Sequence, residues 1–348
     1  MGDKSLNVNN VYARFVRFFK MQELSIFCLG IACMTLDSLK EVQETTYLIM
    51  DRTNWKLGVL NRNILQLGIT LSNGLMVPIF GIPLDKRGNS NESERIKLLE
   101  LVLKLCPFLG KGDIFLGDRE FIGKRWISKI IKSKLSFIIR LRKKDYLAEI
   151  AQSLNLTVDK LNRKIKRKVR ANGFFYAKVK VNGKELYYFV SKDGKKSIRS
   201  KDSYVRLLSD ISDFEQIRKG YKVRWQIEIY FAKTKKKGFN LEDLGLEKFE
   251  KVMLMATIVG YLYTLTLIEG MKQEKIKPEK LQYYLDSGKE YKRKSIFTKG
   301  FEKIKSSIFS IVDLTRFIKK KLVRNKGFDL SLFKGFIGKS IFKHIKSV

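Results

Sequence analysis

Histidine is almost absent from this chain: among 348 residues the one imidazole is His344. His-ligated zinc sites, Ser-His-Asp triads and histidine general bases are thereby nearly excluded. Cysteine is scarce too. Cys28, Cys33 and Cys106 make an odd number at low density, which speaks against a disulfide framework and for a reducing compartment. Cys28 and Cys33 fall in the apolar run Ile26–Met34 and read as buried core thiols. With 4 prolines there is no Pro-rich linker, and no internal repeat or signal peptide is visible. The uncharged run Val252–Ile268 raises the question of a membrane span, but Thr257, Gly260, Tyr261, Tyr263, Thr264 and Thr266 make a buried core helix the better reading. Acid is in short supply, with 35 Asp+Glu against 71 Lys+Arg and a net charge of +36. Since 44% of residues are hydrophobic, that surplus sits on a folded protein. Its usual partners are nucleic acid or an anionic membrane, and without an anchor the charge points to nucleic acid. Lysine drift in an AT-rich genome is the bland competitor.

Along the chain, residues 1 to about 40 read as helical, with Val11, Phe15, Phe18 and Phe19 at helical spacing. Tyr47–Met50 is a short apolar strand ending on Asp51. Ile64–Leu71 and Leu75–Ile82 flank Asn73-Gly74, a hairpin signal. A polar loop, Asp85–Asn91, leads to a helix over Glu92–Leu105. Ile114–Gly117 repeats the strand-then-acid pattern at Asp118, and a helix carrying Trp126, Ile127, Ile130 and Ile131 precedes a strand over Ser136–Leu141. The order strand, hairpin, helix, strand, helix, strand predicts an α/β fold with an RNase H-like mixed sheet and flanking helices. From Lys143 the pattern changes. Asn155–Arg170 is strongly basic, and Phe174–Val181 and Leu186–Val190 meet at Asn182-Gly183 as a second hairpin. This reads as a β-rich insertion whose interleaved aromatics and lysines offer a DNA-contacting platform. The expected divisions are a helical N-terminal region at 1–44, a catalytic first half at 45–142, the basic insertion at 143–206, a catalytic second half at 207–270 and a basic helical C-terminal region at 271–348.

The chemistry concentrates in Tyr221–Lys235. As one helix, this segment stacks Tyr221, Glu228 and Lys235 seven residues apart, with Arg224 one turn before Glu228. A surface stripe with a weak Arg–Glu pair is the plain alternative, but it does not explain a carboxylate among Trp225, Ile227, Ile229 and Phe231. Core packing is the preferred reading of Trp225.

Tyr221, Arg224, Glu228 and Lys235 fit Y-x2-R-x3-E-x6-K without a gap. That pattern resembles the signature of the insertion-sequence-4 family of bacterial DDE transposases. Asp51-Arg52-Thr53 resembles the family's D-x-T motif, and Asp118-Arg119-Glu120-Phe121 its D-R-G-F or D-R-E-F motif. The likeness spans roughly Val11–Ile311. It implies an RNase H-like domain in which Asp51, Asp118 and Glu228 ligate divalent metal, two ions of Mg²⁺ or Mn²⁺, since clustered carboxylates repel one another until cations join them. It implies that Arg224, Lys235 and Tyr221 contact DNA phosphates, while Arg119 either touches DNA or orients Asp118. The implied partners are double-stranded DNA, as terminal inverted repeats and as target, and a second copy of the chain in a synaptic complex. A cytoplasmic, nucleoid-associated enzyme without membrane contact follows from the same likeness. Two departures stand out. Glu120 replaces the commoner glycine, adding a spare acid beside Asp118, and only 50 residues precede Asp51, so the end-recognition part reads as shortened. A DNA-binding remnant that regulates without cutting, and an RNase H-like nuclease that cuts without joining, are the competing functions.

Overall fold

The computed structural model describes residues 24–39, 47–57, 60–71, 74–84, 86, 88–192, 204–236, 238–241, 248–278, 281–284, 289–292 and 294–307. The helix expected around Val11–Phe19, the divisions' outer ends and His344 lie outside these residues.

Helix α1 (Leu24–Leu39) is followed by strands β1 (Tyr47–Leu57), β2 (Leu60–Thr70) and β3 (Met76–Leu84). These three form an antiparallel meander. Gly74, at φ +79°, turns β2 into β3 at the expected hairpin, and Leu71 N–H bonds the Leu75 carbonyl across it at 2.8 Å. Helix α2 (Glu92–Leu105) starts where the polar loop stops. Asn91 accepts from Glu94 N–H at 2.9 Å and the Glu94 carboxylate accepts from Asn91 N–H at 2.7 Å, so two otherwise orphaned donors are satisfied. Then come β4 (Ile114–Gly117), α3 (Lys124–Lys132) and β5 (Ser136–Leu141). Glu92 reaches from α2 to accept Trp126 N–H at 3.0 Å in the first turn of α3. Gly123 leaves the room: a Cβ there would stand 2.0 Å from Glu92 Oε1.

The insertion follows as α4 (Leu147–Ser153), α5 (Val158–Asn172), β6 (Phe174–Val181), β7 (Lys184–Lys192) and β8 (Tyr204–Ser209). Asn182 and Gly183, both at positive φ, close the expected hairpin between β6 and β7. The insertion is not a separate sheet. β8 pairs antiparallel with β5, giving one sheet of eight strands in the order β3-β2-β1-β4-β5-β8-β7-β6. Its first five strands have the RNase H-like arrangement, with β2 antiparallel to its neighbours and β1, β4 and β5 parallel. The expected α/β mixed sheet is therefore what forms.

Helices α6 (Phe214–Val223), α7 (Trp225–Lys235), α8 (Phe249–Ile276) and α9 (Ile296–Ser307) complete the fold. Between the last two, a small hairpin of β9 (Leu281–Tyr284) and β10 (Lys289–Lys292) interrupts a region expected to be helical. Tyr283, Tyr284 and Tyr291 there are residue types that favour strands. The uncharged run lies in α8, long and apolar enough to cross a membrane yet mostly buried in this fold. Cys28, Ile31 and Met34 of α1 pack with Leu254, Ile258 and Tyr261 of α8, and buried Cys28 fits the expected core thiol.

Register decides which face of the sheet each helix covers. Phe115 of β4 lies beside Phe137 of β5, and its ring meets Trp126 of α3 edge-on at 5.1 Å. The next pair, Leu116 and Ile138, points the other way, and Ile138 lies under Gly220 of α6. Helices α3 and α6 thus sandwich the sheet. Ile49 of β1 is in register with Leu116. Two residues further along each chain, Asp51 and Asp118 continue the α6 side of the sheet.

Candidate active site

Asp51 does not end its strand. β1 runs on to Leu57, with Asp51 paired to Gln66 and Thr53 to Ile64 of β2. What ends is the pairing with β4, which covers only Tyr47–Ile49. Asp51 stands where β1 parts from β4, and its side chain is free to meet Arg224 although its backbone is still in a ladder. Asp118 directly follows β4, as the strand-then-acid pattern predicts.

The third acid arrives from a helix that is broken. Tyr221–Lys235 is not one continuous rod: α6 ends at Val223, α7 begins at Trp225, and Arg224 is the junction. Around it the backbone bonds tighten to three-residue spacing, Arg224 N–H to Tyr221 O at 3.2 Å and Ile227 N–H to Arg224 O at 3.3 Å. Arg224 itself keeps helical dihedrals, φ −51° and ψ −30°, so the interruption is one tightened turn and Tyr221 stays beside Arg224. Arg224 and Glu228 stay one turn apart, and Lys235 reaches back to bond the Asn54 carbonyl on β1.

Arg224 is the hub. Its guanidinium is buried, donating through Nη1 to Asp51 Oδ2 at 3.0 Å and through Nη2 to Glu228 Oε1. One planar fork thus ties a strand acid to a helix acid 177 residues later in the chain. Burial works against its charge, yet Tyr221, Asp51, Asp118 and Glu228 together push its pKa above the ordinary guanidinium range. Asp51 is held at about 6: burial raises it, Arg224 and the Arg52 N–H (2.7 Å) pull it back, and Asp118 and Glu120 raise it again. Asp118 is therefore near enough to be felt at Asp51. Among the described residues, however, no three acids, histidines or cysteines stand close enough to hold a metal ion as they are.

The other sequence-predicted groups divide. The Tyr221 hydroxyl is buried beside Arg140, and burial pushes its pKa up to about 12. Its ring lies 5.9 Å from the Arg224 guanidinium. Arg119 is half-buried and makes no ion pair with a described residue. Trp225 is 51% exposed and not in the core, because Ile227 and Tyr230 take the buried side of α7. The aromatic platform of the insertion is corrected in part: Phe175, Tyr188 and Phe189 are buried and Phe174 stacks on Phe214 at 4.8 Å, while Tyr176 and Tyr187 stay half-buried and stacked at 5.7 Å.

Two residues carry more than the sequence suggested. Glu120 is not a spare ligand. It accepts from Arg52 Nε at 3.1 Å and from Ser90 Oγ at 2.8 Å. Ser90 in turn accepts from buried Arg95 at 2.9 Å, and Arg95 donates to the Ile122 carbonyl at 2.9 Å. Arg52 also reaches Asn54, Asn63 and Asn89. This network fastens β1, the loop before α2 and the turn after β4, so it fixes the ends that carry Asp51 and Asp118. The only signal in the sequence was the charge pair itself, Arg52 and Glu120 each one or two residues from an aspartate.

The donors suit a hard divalent cation. They are all carboxylates, Asp51 and Asp118 lie at parting neighbour strands, and Glu228 is one guanidinium away.

Comparison with known proteins gives a family match over residues 48–265, to the family described as Transposase DDE domain. No curated protein matches the chain. Among solved structures, a piggyBac transposase in a synaptic complex with hairpin DNA aligns at 12% identity and a TM-score of 0.39. That alignment takes in 86% of this chain, which spans 62% of the length of that transposase. An Argonaute from Aquifex aeolicus aligns at 10% identity and TM-score 0.28, over 54% of this chain and 25% of that one.

Proposed function

This chain belongs to the DDE-domain transposases, and on that premise we propose that it is an insertion-sequence-4 type enzyme using Asp51, Asp118 and Glu228 as its acid triad. The observation that carries the proposal is the Arg224 fork, which joins Asp51 on β1 to Glu228 on α7 beside Asp118. A surface stripe has no need of a buried arginine that also bonds an acid 173 residues away in the chain.

Asp51, Asp118 and Glu228 would hold two Mg²⁺ or Mn²⁺ ions. Bound there, divalent ions supply the Lewis acidity that activates a water or 3′-hydroxyl and stabilises the leaving oxygen. The chain's own groups do the rest. The Arg52–Glu120–Ser90–Arg95 network keeps the two aspartate-bearing ends in place. Arg224 holds Asp51 and Glu228 apart from one another's charge and, once released, is a bidentate grip for a DNA phosphate. Lys235 and Arg119 line the approach for phosphate contacts. Tyr221 serves under Arg224, since its hydroxyl points inward. The reaction is cleavage at the ends of the element followed by strand transfer into a target, in a synaptic dimer on the bacterial nucleoid.

The test is an incubation with DNA carrying the element's ends, in Mg²⁺ and in EDTA. Nicking is expected in Mg²⁺ alone and is lost in Asp51→Ala and Glu228→Ala. Nicking that persists in either variant overturns the triad. Cutting without joining assigns the chain to the nuclease class, and binding without cutting to the regulators.

A further inference from the structure

We propose that the outer face of α5 is a second DNA surface, which tracks the duplex backbone away from the scissile bond independently of sequence. The inference rests on the reading of the chain as a DNA-acting enzyme and concerns a different part of it.

Helix α5 is built for two opposed jobs. Thr157 caps its start, accepting Lys160 N–H at 3.3 Å, and Gly173 at φ +81° stops it. Leu161, Ile165 and Val169 recur every four residues and are buried against the insertion strands. Everything else that is long is cationic: Lys160, Arg163, Lys164, Lys166, Arg167, Lys168 and Arg170, with Asp159 the helix's lone acid. At 100° per residue, Arg163, Arg167 and Arg170 fall diametrically opposite the buried stripe, and the lysines flank them. All three arginines are exposed.

Such a face is unfavourable by itself. Lys160–Lys164, Arg163–Arg167 and Lys166–Arg170 set like charges one turn apart, which weakens a helix. Elsewhere several cations are relieved by an acid. Lys86 pairs with Glu94, Lys178 with Glu185, Arg218 with Glu215 and Lys294 with Glu302. Among the described residues, none of the seven on α5 is in an ion pair. No described residue answers the repulsion, and the complement that suits such a face is an extended anion. A helix of 15 residues is about 22 Å long, and duplex DNA offers one phosphate per roughly 1.7 Å of axis. Arg163, Arg167 and Arg170 stand about 6 and 4.5 Å apart along the axis, far enough for each to meet a different phosphate, and the absence of aromatics on the helix assigns it to backbone rather than bases.

The experiment measures binding of a fluorescent 30-base-pair duplex of arbitrary sequence, in EDTA, across a salt series. The test protein carries Arg163→Gln, Lys166→Gln, Arg167→Gln and Arg170→Gln, exchanges that keep helix propensity. A control removes the same charge at Lys97, Lys111, Lys132 and Lys134. A third protein replaces Arg163, Arg167 and Arg170 by Lys. If four phosphate contacts are lost, the slope of log K against log salt falls by about 3 to 4 in the test protein. Raising salt fourfold then costs the parent roughly 100-fold more affinity than it costs the variant. The control and the lysine protein are expected to keep the parent's slope to within about one. A test protein with the control's slope overturns the proposal, and so does unchanged duplex binding with loss of binding to phosphatidylserine vesicles. Because binding is read in EDTA, it decides the role of α5 whether or not the protein cuts DNA. Failure of the parent to cut in Mg²⁺ counts against the acid triad alone.

Discussion

Replacing Arg224 by alanine tests the whole electrostatic account of the site. The guanidinium is buried, its bond to Asp51 is 3.0 Å, and its second partner Glu228 is about one-third exposed. Removing one member of a fully buried ion pair costs about 3 to 5 kcal/mol, because the other charge stays buried and unpaired. Two features lower that figure here. Glu228 can turn to solvent, and Asp51, already at about 6, can take up a proton. A loss of about 2 to 3 kcal/mol at pH 7.5 in EDTA is expected. The sign of its pH dependence is fixed. Asp51 has a folded pKa above its ordinary 3.8, so the folded state binds that proton more tightly and stability rises as pH falls from about 6 to about 4. In Arg224→Ala the upper end of that window moves higher. Well below about 6 Asp51 is neutral in both proteins, and the Arg224–Asp51 attraction no longer distinguishes them. The variant's deficit therefore shrinks by about half between pH 7.5 and pH 5. Urea unfolding at the two pH values measures it. In an Asp51→Asn background the same exchange costs clearly less, since the shared partner is gone. A deficit that is absent at pH 7.5, or equal at both pH values, or additive with Asp51→Asn, refutes the bridging role.

Further outcomes follow from the same geometry. Glu120→Ala is expected to lower stability by about 2 kcal/mol by stranding Arg52 and Ser90, with Glu120→Gln costing less because it retains an acceptor for Ser90; thermal melts in EDTA compare them. Mg²⁺ raises the melting temperature of the parent but not of Asp51→Asn with Asp118→Asn, because only the acids offer it ligands. Gly300→Ala drives a Cβ to 1.8 Å from the Thr266 carbonyl where α8 and α9 cross, so it lowers the unfolding midpoint by at least about 2 kcal/mol, whereas a Cβ on Gly74 meets nothing within 4 Å and costs only the strain of its φ of +79°.

The fold was legible where local chemistry dictates geometry. Asn182-Gly183 can hardly do other than turn a hairpin, Asn91 with Glu94 writes a helix start, and the apolar tetrad before Asp118 ends as a buried strand should. The site was legible in its residue types, since Arg224 and Glu228 keep their one-turn relation in the folded chain. What escaped depends on partners far away in sequence. Asp51 looks like a strand end because polar residues follow it, but β2 continues the ladder to Leu57. The helix breaks at Arg224, a residue that periodicity treats as ordinary, where its side chain is pulled to a strand 173 residues away. Trp225 is apolar by type, yet Ile227 and Tyr230 take the buried side of its helix. β8 follows a stretch without strand pattern and finds β5 only through tertiary pairing.

Arg224 and Glu120 solve one problem from opposite sides. In the proposed site, carboxylates gathered for cations repel one another without them, and at Asp51 burial first, then Asp118 and Glu120, disfavour the charged form. Arg224 supplies a cation from within, and its two-pronged fork also fixes which acids approach each other. Were that all, the scaffold would relax once a metal or a phosphate drew the guanidinium away. Glu120 prevents this. Its bonds to Arg52 and Ser90 fasten the two aspartate-bearing ends through partners that are not themselves in the acid cluster. The site thus separates charge compensation, which must be reversible, from positioning, which must not. Glu120 adds to the charge felt at Asp51, yet its bonds to Arg52 and Ser90 make it a fastener of the ends on which the proposed ligands stand.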